Sequence, residues 1–255
     1  MSVIVYDKVC KSFEGSRGYA VDHVSAEVRK GEFITILGSS GCGKTTLLKL
    51  TNRLYEPDGG RIMVAGKDVS SVDPVELRRS MGYVIQQVGL FPHMTIRDNI
   101  TAIPALMKWD KKRSHDRADE LLNLVGLEPS QFRDRYPHQL SGGQQQRVGL
   151  ARALVLDPGI LLMDEPFGAI DAITRLNLQN ELMRLHRELG KTVLFVTHDI
   201  NEAFKLGDRV MVMNEGRLLQ FDDPREIARH PADDFVSTLI ESARSQELFW
   251  TEKEE

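Results

Sequence analysis

The sequence predicts an α/β fold: a parallel sheet covered by helices on both sides, extended by a small antiparallel sheet and an inserted helical lobe. Three observations point there. The β-rich runs FITILG before Gly38, ILLMDE at Ile160 to Glu165 and TVLFVTHD at Thr192 to Asp199 are continuously apolar, as strands buried on both faces are. Each ends in glycine or polar residues, at the strand end where open α/β sheets bind ligands. Between the first two, from about Phe91 to Asp157, the periodicity is mostly helical.

Taken in order, the alternation Val24, Ala26, Val28, the turn KGE and the segment RIMVAG read as half-exposed antiparallel strands of a side sheet. TTLLKLTNRL continues the glycine-rich stretch as a helix, and DPVE at Asp73 to Glu76 has the N-cap, N1 proline and N3 glutamate of another helix start. GYVIQQ is a strand followed by a helical region, and SHDRADELLNLVGL ends at a C-cap glycine, Gly126. RVMVMNEGRLLQF reads as a hairpin turning at Asn214 to Gly216. The expected layout is one domain over residues 1–240, with a helical subdomain inserted at about 88–157, and a short polar tail over 241–255 that ends in TEKEE. No internal repeat is present.

Composition narrows the class. At 255 residues and a net charge of -4, the chain is long enough for a large core and shows no bulk preference for a polyanion, so nucleic acid is not expected as a partner. Of its two cysteines, Cys10 and Cys42, one lies inside the glycine-rich loop, where a disulfide would obstruct a ligand; a reducing compartment is expected. No run of eighteen apolar residues occurs and MSVIVYDK lacks a signal-peptide pattern, so the expectation is a soluble intracellular chain.

GSSGCGKT, Gly38 to Thr45, fits the P-loop pattern and lies between a strand and a helix. Backbone N–H groups of Gly38, Ser39, Ser40, Gly41, Cys42 and Gly43 can converge on phosphate oxygens, and the helix N-terminus beginning near Lys44, Thr45 and Thr46 adds partial positive charge. Lys44 reaches the β- and γ-phosphates and Thr45 holds Mg²⁺. The same surroundings predict a reactive Cys42 thiolate. Asp164 and Glu165 close ILLMDE: Asp164 is the metal-side carboxylate and Glu165 the base for the attacking water. His198 closes the next such strand; alone it would read as a strand-end or core residue, but beside the other strand ends it is expected to contact the γ-phosphate, and Gln86, near the end of GYVIQQ, has an amide suited to Mg²⁺ or that water.

LSGGQQQR, Leu140 to Arg147, opens another helix. Ser141 and Gln144 form a capping box, and Val148, Ala151, Leu154 and Val155 make an apolar face. Gly142 and Gly143 leave the first amides uncovered, which suits a second anion site; an ordinary capped helix with packing glycines reads equally well.

In order and spacing, GSSGCGKT, Gln86, LSGGQQQR, ILLMDE, GAID at Gly168 to Asp171 and VTHD resemble ATP-binding cassette (ABC) ATPase subunits over nearly the whole chain. The resemblance implies a P-loop NTPase with a RecA-like core, ATP and Mg²⁺ as cofactors, and a head-to-tail homodimer or heterodimer of ATPase subunits. In such a dimer Ser141, Gly142, Gly143 and Gln144 of one chain cap the ATP held by Gly38 to Thr46 of the other, and Asp171 links the two sites. It puts the adenine-stacking aromatic at Phe13, with Tyr19 competing because extra residues around EGSRG follow. It also implies an integral-membrane permease, indirectly a solute-binding protein, and a place on the cytoplasmic face of the membrane.

TNRLYEPDGGRI, GYVIQQVGLFPHMTIRDNI and THDINEAFKLGDRVMVM resemble importers of quaternary-amine osmoprotectants such as glycine betaine, choline and carnitine. Importers of an amino acid, polyamine or sugar, and soluble non-transport ABC ATPases, are the alternatives; a P-loop kinase leaves LSGGQ unexplained. The segment from Gln86 to Asn99, with Leu90, Phe91, Pro92 and Met94, is either the groove for a permease helix or lobe core.

Overall fold

The computed structural model describes residues 1–15, 18–86, 89–168 and 170–251. In chain order the elements are β1 Ser2–Ser12, β2 Tyr19–Arg29, β3 Phe33–Gly38, α1 Lys44–Thr51, β4 Gly59–Val64, β5 Lys67–Asp68, α2 Pro74–Arg79, β6 Met81–Val84, α3 Ile96–Leu106 and α4 Lys111–Leu124. They continue with α5 Pro129–Phe132, α6 Gly142–Leu154, β7 Ile160–Asp164, α7 Ala172–Leu189, β8 Thr192–Thr197, α8 Ile200–Leu206, β9 Arg209–Asn214, β10 Arg217–Asp222, α9 Pro224–Arg229 and α10 Asp234–Thr251. Two compact units divide the chain: 1–77 with 192–255, and 78–191.

In the first unit β3, β8 and β9 are parallel, and β10 returns antiparallel on β9 through a turn with Glu215 and Gly216 in the left-handed region. All six residues of β3 and all six of β8 are buried, as their unbroken apolar sequences require. Leu37 pairs with Thr197 and Gly38 with Met213, so the glycine-rich loop and His198 leave neighbouring strands at one level. The side sheet is antiparallel in the order β2-β1-β4-β5. Its inner strand β1 is not among the expected strands, because register shifts and a left-handed Lys8 (φ 49°) break the alternation of SVIVYDKVCKS.

The second unit pairs β6 and β7 in parallel, with Val84 opposite Met163. Helices α3, α4 and α6 are capped at Thr95, Asp110 and Ser141, and α4 ends before Gly126 at φ 70°. The compact unit is wider than residues 88–157 because β6, β7 and α7 belong with the helices. Arg147 of α6 is the tie: it pairs with Glu181 of α7 at 2.9 Å and donates to the Val125 carbonyl at 2.9 Å.

The chain beyond Ile240 is a helix rather than the expected polar tail from 241. Helix α10 runs on to Thr251, since no glycine or proline interrupts it, and its first half packs Val236 and Ile240 into a core with Leu37, Ala203, Val210, Val212 and Ile227. The last four residues of TEKEE lie outside the described residues.

One buried contact ties the side sheet to the helix that continues from the glycine-rich loop. Tyr6 of β1 is 2% exposed, and its hydroxyl lies 2.7 Å from Thr51 Oγ1 at the end of α1. Thr51 gives its own proton to the Leu47 carbonyl at 2.8 Å, so Tyr6 donates to Thr51. Burial pushes the phenol's pKa up, and it stays protonated. Tyr6→Phe should lower the unfolding free energy by about 1 kcal/mol, the net worth of one such bond, measured by urea denaturation. A change within error would show that the bond carries no stability.

Candidate functional site

In the first unit the turn after β3 is curled by glycines. Gly41 (φ 78°) and Gly43 (φ 106°) occupy backbone conformations that L side chains rarely adopt, and a Cβ on Gly43 would lie 2.1 Å from the Ala20 carbonyl oxygen. Lys44 opens α1, is 5% exposed, and bends back so that Nζ donates to the Gly38 and Ser39 carbonyls, each at 2.8 Å. The loop is thus closed on itself with an ammonium at its centre. Thr45 and Thr46 follow in the first turn of α1.

Cys42 departs from the reactive thiolate expected of it. It is 4% exposed, and burial pushes its pKa up, outweighing the nearby Lys44 ammonium at 4.0 Å from the sulfur. The helix terminus and the lysine act as anticipated, but desolvation of the charged sulfur is larger.

In the second unit Asp164 ends β7 with its side chain buried, and Glu165 comes next with φ 44°. A non-glycine residue held there costs on the order of 1–3 kcal/mol, and such positions concentrate at functional sites. Gln86, just past β6, donates from Nε2 to Glu165 Oε2 at 3.2 Å. The parallel β6–β7 pairing brings these two side chains together although 79 residues separate them. With its amide nitrogen on the carboxylate, the Gln86 carbonyl oxygen is directed elsewhere.

At the head of α6 the capping box forms: Ser141 Oγ accepts from Gln144 N at 3.3 Å, and Gln144 Oε1 accepts from Ser141 N at 3.0 Å. The two glycines differ. Around Gly142 a Cβ would meet nothing within 4 Å, whereas at Gly143 it would come within 2.6 Å of Thr174 Cγ2 on α7. Gly143 is therefore a packing glycine, and Gly142 alone leaves the terminus open. Asp171 is the N-cap of α7, accepting from Thr174 N at 3.0 Å, and hydrogen bonds from the Thr174 backbone and hydroxyl hold its carboxyl below the usual range. Ala169 of GAID lies outside the described residues.

Both adenine-stacking candidates are open to solvent. Phe13 is 40% exposed, set edge-on to Tyr55 at 5.2 Å, and Tyr19 is 50% exposed with its ring 6.0 Å from that of His23. Ser16 and Arg17 of EGSRG, and Gln87 and Val88 after Gln86, lie outside the described residues. His198 is exposed past β8.

Two further residues went unnoticed in the sequence. Buried Asn99 takes the Phe91 N–H at 2.7 Å and donates to the Phe91, Met94 and Thr95 carbonyls, while Arg152 of α6 donates to the Gly89 carbonyl at 2.8 Å. They clamp the loop that presents Phe91, 43% exposed, and exposed Pro92, with Leu90 and Met94 half-buried. The available signal was an asparagine between Ile96 and Ile100 on the apolar face of α3.

A glycine loop closed by a lysine after one parallel strand, and acidic residues ending another, define a P-loop NTPase. The family model for ABC transporters matches residues 21–168, and the chain belongs to that family. It is 52% identical over 238 residues to a carnitine transport ATP-binding protein of Listeria monocytogenes, covering 93% of this chain and 59% of that protein. It is 50% identical to a glycine betaine uptake system ATP-binding protein of Escherichia coli, covering 92% of this chain and 75% of that protein. The chain thus spans about three fifths of the length of the first curated relatives it matches. Among solved structures, a dimeric ATP-binding cassette bound to ADP and Pi matches with TM-score 0.76 and 34% identity over 87% of this chain and 99% of that one. A Clostridium perfringens cassette that is part of an ABC transporter complex matches with TM-score 0.82 and 28% identity, covering 91% and 92%.

The contrast between the glycines is testable. Gly143→Ala should destabilise the protein by about 1–3 kcal/mol through overpacking, and Thr174→Ser, which removes the opposing methyl but keeps the hydroxyl, should restore most of that loss. Gly142→Ala should leave the urea midpoint unchanged or raise it. Equal effects of the two alanines would contradict the assignment.

Proposed function

We propose that this chain is the ATP-hydrolysing subunit of an ABC importer and works as a head-to-tail dimer on the cytoplasmic face of a membrane permease. The observation that carries the chemistry is the loop Gly38–Thr45, curled by left-handed glycines around the buried Lys44 ammonium. Its amides and Lys44 suit the phosphates of ATP. Mg²⁺, when bound, neutralises phosphate charge, and the oxygens of Thr45, Asp164 and Gln86 are the hard donors that would hold it.

Glu165 is the base. It accepts a proton as the attacking water's oxygen bonds to the γ-phosphorus and the bond to the bridging oxygen breaks, releasing ADP and phosphate. The Gln86 amide orients that carboxylate, and His198 contacts the γ-phosphate. Ser141, Gly142, Gly143 and Gln144 cap ATP held by the partner chain. The Ser141 hydroxyl uses only its lone pair in the capping box, so its proton is left to donate to phosphate. Asp171 relates the two sites, and Phe13 or Tyr19 stacks on adenine.

The solute assignment rests on relatives. Proteins named for transport of carnitine, choline, glycine betaine or osmoprotectants match at 44–52% identity. A spermidine/putrescine import protein matches at 47% over 221 residues, so the alternative of another solute has its own support. The apolar loop around Phe91 is the surface offered to the permease. Among the described residues no helix is long and apolar enough to cross a membrane, in keeping with a peripheral subunit.

Glu165→Gln should bind ATP with affinity close to that of the unchanged protein and lose at least ~100-fold in turnover, the lower range for a general base. It should also accumulate an ATP-dependent dimer on size exclusion. Hydrolysis near the unchanged rate would sink the assignment of Glu165. For the solute, deleting the gene for this chain should abolish high-affinity uptake of at least one quaternary amine under osmotic stress. Unchanged uptake of glycine betaine, choline and carnitine would move the reading to another importer class.

A further inference from the structure

The β1–β2 ladder gathers three side chains of metal-binding type. Ligand atoms of Cys10, Asp22 and His23 lie within 4.8 Å of one another. A bulge brings them together: Val9 faces Val24 while Lys11 faces Val21, so two steps along β1 oppose three along β2, and the extra residue falls at Asp22–His23. His23 takes up the irregularity with φ 50°, a conformation a histidine adopts at some cost. Its ring is turned onto Asp22, with Nδ1 2.7 Å from Oδ1. Arg217 holds the other oxygen, donating to Oδ2 at 2.9 Å. These hydrogen bonds, from His23 first and then Arg217, keep the Asp22 carboxyl below the usual range, so it is ionised throughout neutral pH.

We propose that Cys10, Asp22 and His23 form a binding site for a borderline-soft divalent metal of the Zn²⁺ class, with a solvent molecule in the fourth position. Thiolate, imidazole and carboxylate together select such an ion and disfavour Mg²⁺, whose preference is for oxygen donors alone. The site therefore does not compete with the Mg²⁺ of ATP hydrolysis. The pieces divide the work. Cys10 is a free cysteine, 6% exposed, and forms the floor of the site, its Sγ 3.5 Å from the Lys8 carbonyl. His23, with 63% of its side chain exposed, is the entry side. Asp22 Oδ1 exchanges its hydrogen bond to His23 for the ion, while Arg217 keeps Oδ2 and fixes the carboxylate plane. Binding releases the thiol proton, while the imidazole proton moves to Nε2, so affinity rises with pH. An ion here staples β1 to β2 between the strands' core contacts and the segment that carries Phe13 and Tyr19 at their ends.

The test uses the full chain, free of any affinity tag and nucleotide, titrated with Co²⁺ as a spectroscopic stand-in for Zn²⁺. Expected are a near-ultraviolet thiolate-to-cobalt charge-transfer band and the visible bands of a four-coordinate ion, saturating at one Co²⁺ per chain and displaced by Zn²⁺. Cys10→Ser should abolish the charge-transfer band. His23→Ala should weaken Co²⁺ binding at least ~10-fold. Cys42→Ser should retain the full signal, since that sulfur belongs to the glycine-rich loop. Zn²⁺ should also raise the urea midpoint of the unchanged protein, a reading that does not depend on any variant folding. The proposal is overturned if the unchanged protein gives no thiolate band, if the band survives Cys10→Ser or disappears with Cys42→Ser, or if His23→Ala binds Co²⁺ as tightly as the original.

Discussion

The constraint on which the loop depends is a buried ammonium without a carboxylate. Among the described residues Lys44 is held by the carbonyls of Gly38 and Ser39 and sits near the Cys42 sulfur, all of them groups of its own loop. Carbonyl dipoles solvate a cation only in part, so the protein carries positive potential at this spot that an anion would neutralise. Everything around it keeps the charge there. Parallel pairing of β3 with β8 and β9 anchors Gly38, the left-handed glycines turn the chain, and the Ala20 carbonyl leaves no room for a side chain at Gly43. Tyr6 braces the far end of α1 through Thr51. The position of that charge is thus set by the loop's own groups.

The same desolvation decides Cys42. Lysine and helix terminus both favour a thiolate, but a second charge in a pocket this dry costs more than they return, and the thiol stays neutral. An ammonium and a neutral thiol side by side leave the loop's net charge positive, which suits it to a ligand with several negative charges better than an internal ion pair would.

Much of this was legible in the sequence because the loop obeys local rules. Glycine spacing, an apolar strand before and a helix after specify GSSGCGKT without reference to the rest of the chain, and Ser141 with Gln144 specifies its capping box in four residues. The features that escaped depend on distant contacts. Strand β1 is hidden because the bulge at Lys8 spoils its alternation, and only its partners β2 and β4 make it a strand. The purpose of Gly143 is set by Thr174, some thirty residues on, and the burial of Cys42 by the fold around it. Residues beyond 240 look polar, yet no glycine or proline stops the helix that Val236 and Ile240 anchor in the core.

The heads of α1 and α6, to both of which the proposed function assigns anion binding, differ in construction. The α1 terminus gathers left-handed glycines and the Lys44 ammonium, which donates to the Gly38 and Ser39 carbonyls. The first turn of α6, Gly142 to Gln145, contains no lysine. Its box satisfies two of its own amides through Ser141 and Gln144, Gly143 is committed to α7, and only the bare face at Gly142 and the Ser141 proton remain to be used. A terminus so equipped binds free phosphate weakly, since its dipole alone is worth about 0.3–1 kcal/mol when exposed. It becomes effective where another surface has already concentrated and oriented the anion, which is the role a capping surface on a partner's nucleotide requires. In the proposed head-to-tail dimer, weak affinity alone and strong affinity in company would make association of two chains depend on nucleotide.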